Sequence, residues 1–381
     1  MNQKIKVALM ADAFDRRPER AFFARRLIER LVHHPDIELF LIHFDPMPNE
    51  PLYKEAHEIL IPRISLPWGS RFVSFIWYCF TTREQFDIFQ YLVGRPYPFF
   101  WLMPAKRFVV LAHDAGVGRV KGTRTIPNLI FYTVLRFFNR YIDAIVGVSE
   151  YARKDIQNVY HLLESKTASI YVGVDPMYRP VDSETTATAL RKYNIGASKY
   201  IFYLGGLNPH KNVPNLIRAY TLLRQAVPAL QEKLLIADLP SHGSGETYRA
   251  ITESPYSRDI ICAGRIELGD IPALHSGATV FVFPSLHEGF GMPPLEAMAC
   301  GTPTVVSNAT SLPEVTGGAS ILVDALDVQE ITSAMRRVIE SPELKRQLRE
   351  KGIAQAKKFT WDAFADKHIG LYKRLLAGSQ D

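Results

Sequence analysis

Apolar residues in this chain fall into short runs divided by stretches of helical period, and the alternation occurs twice over. In the first half, runs at 4–10, 37–44, 86–91, 108–112 and 144–148 are rich in Val, Ile, Leu and Phe and read as buried parallel strands. Between the first two, Phe23, Leu27, Ile28 and Leu31 recur at helical spacing. They predict a helix from Pro18 to about Val32 whose outer positions carry Arg16, Arg17, Arg20, Arg25, Arg26 and Arg30. The pattern restarts with strands at 200–204, 234–237, 259–262, 280–283, 304–306 and 321–323, and a helix at 213–225 follows the first of these. Strand–helix–strand alternation predicts an α/β fold of two doubly wound, Rossmann-like parallel sheets. The polar stretch 176–198 reads as the connection. The expected domains are 1–180 and 181–360, with a helix at about 361–381 packing back on the first. Two such sheets hold a ligand in a central cleft, facing the carboxyl ends of their strands.

Composition narrows the class. With 381 residues, 47% hydrophobic and 22% charged, the chain suits two well-cored domains and excludes collagen, coiled coil and intrinsic disorder. Its longest apolar stretches, such as 75–80, fall far short of the roughly 20 residues of a spanning helix. The opening MNQKIKVALMADAFD turns acidic at once, unlike a secretory signal. Cys79, Cys262 and Cys300 are widely spaced, show no metal-ligand pattern and suit reduced thiols, so a cytoplasmic protein is expected. Residues 1–180 hold 24 Lys and Arg against 18 Asp and Glu, whereas residues 181–381 hold 21 of each, so the whole formal excess of +6 sits in the first half. That bias is either a solubility feature or a surface for something anionic, such as inner-membrane lipid or a phosphorylated substrate. DNA binding is disfavoured, because no nucleic-acid module is present and the excess is modest.

The most informative segment is FVFPSLHEGFGMPPLE, residues 281–296. A strand ends at Pro284, a loop with Gly289 and Gly291 follows, and Pro293-Pro294 opens a helix. Glycines let backbone N–H groups approach a ligand, and a helix start adds unpaired donors and partial positive charge, which suits a diphosphate. Glu288 and Glu296 bracket this turn. Carboxylates beside phosphate must serve hydroxyls or a cation, and vicinal diols of sugar and ribose are apt partners. The plainer reading is a structural strand-to-helix turn with a glutamate favoured by the helix dipole.

The context HEGFGMPPLEAMACGTPTVVSN followed by SLPEVTGGASILVD resembles the donor-binding signature of the retaining glycosyltransferases of family 4, which have the GT-B fold. YLGGLNPHKNVPNLIRAY (203–220) is similar to the family's phosphate-binding segment, and ICAGRIELGDIPALHSGATVFVFPS (261–285) to its nucleobase-side segment. VLAHDAG (110–116), VGVSEYARKDI (146–156) and YVGVDPMYRP (171–180) resemble further motifs of the first domain and linker. The resemblance implies an acceptor-binding first domain and a donor-binding second one. It gives Glu288 the sugar hydroxyls, Glu296 the ribose, and the amides of Phe290, Gly291 and Met292 the sugar and diphosphate, with Gly205, Gly206 and Gly289 also in the donor-binding set. Lys211, beside Gly205 and Gly206, would offset leaving-group charge, Arg265 and Ile266 would face the base, and His113 would reach the sugar. From position alone, Lys211 also reads as a surface lysine and His113 as a buried strand-end histidine. Ser149 and Tyr151 would shape the cleft floor.

The pattern departs from the family twice. Residues 12–15, Asp-Ala-Phe-Asp, lack the usual paired glycines. The loop 205–211 lacks an arginine, so His210 is the cation nearest Lys211. The implied reaction is metal-independent, needs no cofactor, and moves a hexose with retention by same-face attack. The first choice is mannose from GDP-mannose, passed to an oligosaccharide or polyprenyl-diphosphate-linked glycan for surface polysaccharide. The basic first half, the Arg-studded first helix and the aromatic pieces 68–80 and 131–141 suit peripheral contact with anionic inner-membrane lipid, and equally a plain fold in which the aromatics are core and the arginines a solvated face. The alternative is a non-catalytic GT-B homologue that binds sugar nucleotide or scaffolds a synthase. A GT-B epimerase or phosphorylase is a third reading.

Overall fold

The computed structural model describes residues 4–12, 22–46, 50–65, 69–92, 96–113, 132, 133, 135–193, 195, 196, 198–237 and 244–378. The chain forms two compact units, Met1–Gly173 with Trp361–Asp381, and Val174–Thr360.

The first unit is built on seven parallel strands: β1 (Ile5–Met10), β2 (Ile37–His43), β3 (His57–Leu60), β4 (Phe86–Tyr91), β5 (Ala105–Ala112), β6 (Ala144–Gly147) and β7 (Thr167–Ser169). Their order is β3-β2-β1-β4-β5-β6-β7. In the middle, Val7 lies opposite Leu39 on one side and Ile88 on the other, and all three are buried. The second unit has six parallel strands: β8 (Tyr200–Leu204), β9 (Lys233–Ala237), β10 (Ile260–Cys262), β11 (Val280–Phe283), β12 (Thr304–Ser307) and β13 (Ile321–Val323). Their order is β10-β9-β8-β11-β12-β13. Both sheets reverse their winding once, between β1 and β4 and between β8 and β11. Such a reversal splays the connecting loops apart at the carboxyl ends of the two strands and leaves a crevice there. This is the doubly wound α/β architecture that the alternation predicts.

Two edge strands escape the sequence reading. The residues of β3 are mostly exposed and those of β7 half-buried, so neither shows an apolar run. The stretch read as a polar connection holds a helix, Ser183–Lys192. Asp182 caps it by accepting from the Thr185 amide at 2.8 Å, and Ala189 and Leu190 are buried beneath. The first predicted helix is described as Phe22–Leu31, so Pro18, Arg16, Arg17 and Arg20 lie outside the described residues. Its arginines do not form an unpaired cationic face. Arg25 pairs with Glu50, Arg26 with Glu29 at 2.8 Å, and Arg30 with Asp362 at 2.6 Å.

The aromatic segments divide between core and surface. On the helix Ser70–Thr81, Phe75 is buried while Trp77 and Phe80 point outward, Phe80 being 73% exposed. Phe99 and Phe137 are also exposed, whereas Trp68 and Phe131 lie outside the described residues. Among the described residues, no helix is long and apolar enough to cross a membrane.

Candidate functional site

Most of the second unit's predicted site residues lie on the two loops where its sheet reverses. After β8 the chain runs through Gly205 and Gly206 to a single turn at Pro209–Lys211. After β11 it runs through Pro284 and Glu288 to the helix Met292–Ala299. Because β8 and β11 are neighbours in the sheet, these loops meet. The Lys211 ammonium donates to Glu288 Oε1 at 2.5 Å, and both side chains are largely withdrawn from water, at 17% and 13% exposure. Lys211 Nζ also lies 5.3 Å from the centre of the Phe283 ring, a cation–π contact. The two charges that the resemblance gives to different parts of a donor therefore neutralise each other.

Backbone and hydroxyl contacts fix this arrangement. The Leu286 amide donates to the His210 carbonyl at 2.7 Å, and the Ser285 hydroxyl lies 3.2 Å from the same oxygen, which ties one loop to the other. The Glu288 amide donates to Thr310 Oγ1 at 3.1 Å. The buried Ser311 hydroxyl lies within hydrogen-bond distance of both the Glu288 and Phe290 carbonyls. Tyr203 donates through its hydroxyl to the Gly206 carbonyl at 2.7 Å and holds the first loop. Gly291 precedes the helix at φ 107°, a conformation that disfavours any side chain, and a Cβ there would stand 2.5 Å from Leu312 Cδ2. Pro293 and Pro294 occupy the first helical turn and have no N–H, so the amides that open this helix are those of the glycine loop.

Glu296 lies one turn inside the helix. Burial pushes its carboxyl up to about 7, the Tyr178 hydroxyl acts against that by hydrogen-bonding the carboxylate, and the Asp175 charge pushes it further up. Tyr178 is itself buried and its phenol is raised, first by burial and then by Glu296. Neither Tyr178 nor Asp175 carries a sequence signal of its own, although both lie within YVGVDPMYRP. Thr310, Ser311 and Ser285 likewise carry none. Their part is to hold the loops, and isolated hydroxyls in loops carry no spacing signal.

The remaining expected residues follow other strands. Arg265 is exposed and Ile266 buried, just beyond β10. His113 follows β5 in the first unit, with its ring 5.0 Å from that of Phe23. Residues 114–116 of the VLAHDAG motif and 13–15 of the glycine-free first loop lie outside the described residues. Ser149 has a plain structural task, capping the helix Glu150–Tyr160 by accepting from the Ala152 amide at 2.9 Å. Among the described residues, no three His, Cys, Asp or Glu side chains converge as a metal ion would require.

Comparison with known proteins bears on both units. Residues 21–178 match the model described as Glycosyltransferase Family 4, and residues 187–355 the model described as Glycosyl transferases group 1. The O-antigen chain mannosyltransferase B of Escherichia coli is 30% identical over 231 residues, 61% of this chain and 60% of that protein. A serotype-specific mannosyltransferase of Escherichia coli is 33% identical over 242 residues, 63% of this chain and 30% of that protein. The matches thus span less than two thirds of either relative. The Anabaena HepE protein in complex with UDP-glucose superimposes with a TM-score of 0.74 at 18% identity, covering 97% of this chain and 99% of that one, which shows a shared GT-B fold. With a Family 4 region followed by a group 1 region on that fold, the chain belongs to the family 4 type of glycosyltransferases.

Proposed function

We propose that this protein moves a hexose from a nucleoside diphosphate sugar to a glycan acceptor, with mannose from GDP-mannose as the first choice of donor. The observation that carries the proposal is the Lys211–Glu288 pair beside the glycine-led start of the helix Met292–Ala299. A diphosphate is the partner that suits Lys211 and adjacent amides together. A sugar hydroxyl is the partner that suits a carboxylate placed beside phosphate. Removing one member of a fully buried ion pair costs about 3–5 kcal/mol, because the other charge is left without a partner. Exchange costs far less, since a phosphate takes over the ammonium while sugar hydroxyls take over the carboxylate. A nucleotide sugar brings both replacements in one molecule. Glu296 then accepts from the ribose diol.

In this reading Glu288 binds hydroxyls and is not a nucleophile. Retention follows from attack on the same face, with the departing phosphate oxygen taking the acceptor's proton and Lys211 stabilising the diphosphate charge without a metal. His113 contacts the transferred sugar. Mannose is favoured because the two Escherichia coli relatives are named as mannosyltransferases. The acceptor is an oligosaccharide or a glycan on polyprenyl diphosphate. Outward-facing Trp77, Phe80, Phe99 and Phe137, with Arg83 and Arg140 exposed in the same unit, support peripheral contact with anionic lipid. Flotation with anionic vesicles at low salt tests that contact, and a protein that stays at the bottom of the gradient contradicts it.

Incubation with GDP-, UDP- and dTDP-hexoses tests the donor, with thermal shift for binding and nucleotide release for turnover. Stabilisation and release by a GDP-hexose above the others support the reading. Binding without release for every acceptor supplied favours a non-catalytic sugar-nucleotide subunit.

A further inference from the structure

The first unit brings an aromatic residue against His113 that no motif points to. His113 directly follows β5, and its imidazole packs on Phe23 with ring centres 5.0 Å apart and planes tilted by 42°. Phe23 in turn lies 5.9 Å from the indole of Trp361. That indole is 2% exposed and is flanked by Phe22 at 5.6 Å and Phe364 at 5.6 Å, both nearly perpendicular to it. The shelf beneath Phe23 therefore comes from the far end of the sequence, through the first residue of the helix Trp361–Ala377. This helix is fastened to the same unit along its length. Asp362 pairs with Arg30 at 2.6 Å, Lys373 with Asp36 at 2.5 Å, and the Leu375 carbonyl accepts from Arg107 Nε at 2.8 Å. Tyr372 donates through its hydroxyl to the Gln90 side chain.

We propose that Phe23, backed by Trp361, is a positioning residue that fixes the imidazole of His113; the catalytic consequence rests on the role given to His113 above. An imidazole turns about two side-chain torsions. A ring packed at a fixed tilt on one face removes part of that freedom before substrate arrives, and aromatic pairs hold offset or tilted geometries at these distances. Misplacing a reacting or contacting group by about 1 Å can cost on the order of a hundredfold in rate. Phe22 is the internal contrast. It supports the same indole and lies 6.0 Å from the Phe23 ring, whereas among the described residues the ring contact to His113 is made by Phe23.

The test compares Phe23→Ala, Phe23→Tyr and Phe22→Ala in the full chain. One readout is independent of activity: the His113 imidazole signal in histidine-labelled protein, assigned by its loss in His113→Gln. Phe23→Ala shifts or broadens that signal, Phe23→Tyr restores it, and Phe22→Ala leaves it in place while lowering thermal stability. The second readout is steady-state kinetics with the best hexose donor. Phe23→Ala lowers kcat about 10- to 100-fold with donor KM nearly unchanged, and Phe23→Tyr recovers most of the loss. A shifted signal with wild-type kcat overturns the role given to His113, whereas an unchanged His113 signal in Phe23→Ala overturns the proposal. Equal loss of kcat in Phe22→Ala also overturns it. Wild-type protein that turns over no hexose donor overturns the underlying reading instead.

Discussion

Among the described residues, the loops beyond β8 and β11 and the residue after β5 meet different kinds of neighbour. In the second unit the loops beyond β8 and β11 are pinned by hydroxyls, carbonyls and one ion pair: Tyr203 on Gly206, Ser285 and Leu286 on His210, Ser311 on the glycine loop, and Lys211 on Glu288. In the first unit the residue after β5 is held by rings, His113 on Phe23 and Phe23 on Trp361. A polar network presents groups whose partners can be exchanged for those of a ligand. An aromatic shelf presents a packed surface against which a ring can rest. On the proposed reading, the polar loops of the second unit bind a charged donor and the shelf at Phe23 holds one side chain still.

This contrast can be broken from either side. The largest expected effect is at the aromatic end, where Trp361→Ala empties a fully buried site and lowers stability by about 3–5 kcal/mol, read as a drop in denaturant midpoint. A loss under 1 kcal/mol would mean the shelf is not under packing control. Next, Glu288→Ala lowers turnover about a hundredfold or more, the scale for removing one group that holds the reacting centre. At the same time it leaves nucleoside diphosphate binding as tight as wild type or tighter, because Lys211 is released. Wild-type turnover in that variant would remove the role given to Glu288.

Lys211→Ala weakens nucleoside diphosphate binding about 10- to 100-fold by calorimetry, the scale of a charge-assisted contact of 1.5–3 kcal/mol. Part of that loss is repulsion from the unpaired Glu288, so the double variant Lys211→Ala/Glu288→Ala binds better than Lys211→Ala alone. An unchanged constant in Lys211→Ala contradicts the assignment.

The smallest effect concerns Glu296. Burial raises its carboxyl to about 7, so the ionised form is disfavoured in the free chain and a ribose that needs the carboxylate binds more tightly as pH rises through 7. Affinity for an intact nucleotide sugar should rise up to about tenfold from pH 6 to pH 8. Tyr178→Phe, which loses the hydrogen bond favouring the carboxylate, moves the midpoint upward. A flat profile in both proteins would refute this.

Sequence pattern exposes these two ends unequally. All six strands of the second sheet appear as apolar runs, the four inner ones because neighbours bury them and the edges β10 and β13 because their short sequences IIC and ILV stay apolar although half-exposed. The loop at Glu288–Glu296 declares itself through glycine, proline and paired acids, residues that each answer a local backbone or charge requirement. Tyr178, Ser311 and Thr310 act only where distant segments meet, so no local spacing marks them. Phe23 shows the same limit more sharply. Its helical periodicity reads as an ordinary core face, and only the fold brings it between His113 and Trp361. The edge strands β3 and β7 lack a signal because an edge needs no continuous apolar run. The arginines of Phe22–Leu31 look unpaired in sequence because Glu50 and Asp362 arrive from other elements.

A crystal structure of the protein with GDP-mannose tests the central claim most directly. The account predicts the diphosphate at the start of the helix Met292–Ala299, bonded to Lys211 Nζ and the Phe290–Met292 amides. Glu288 should be parted from Lys211 and turned to the sugar hydroxyls. An intact Lys211–Glu288 pair, with the nucleotide sugar bound elsewhere or not at all, would contradict it.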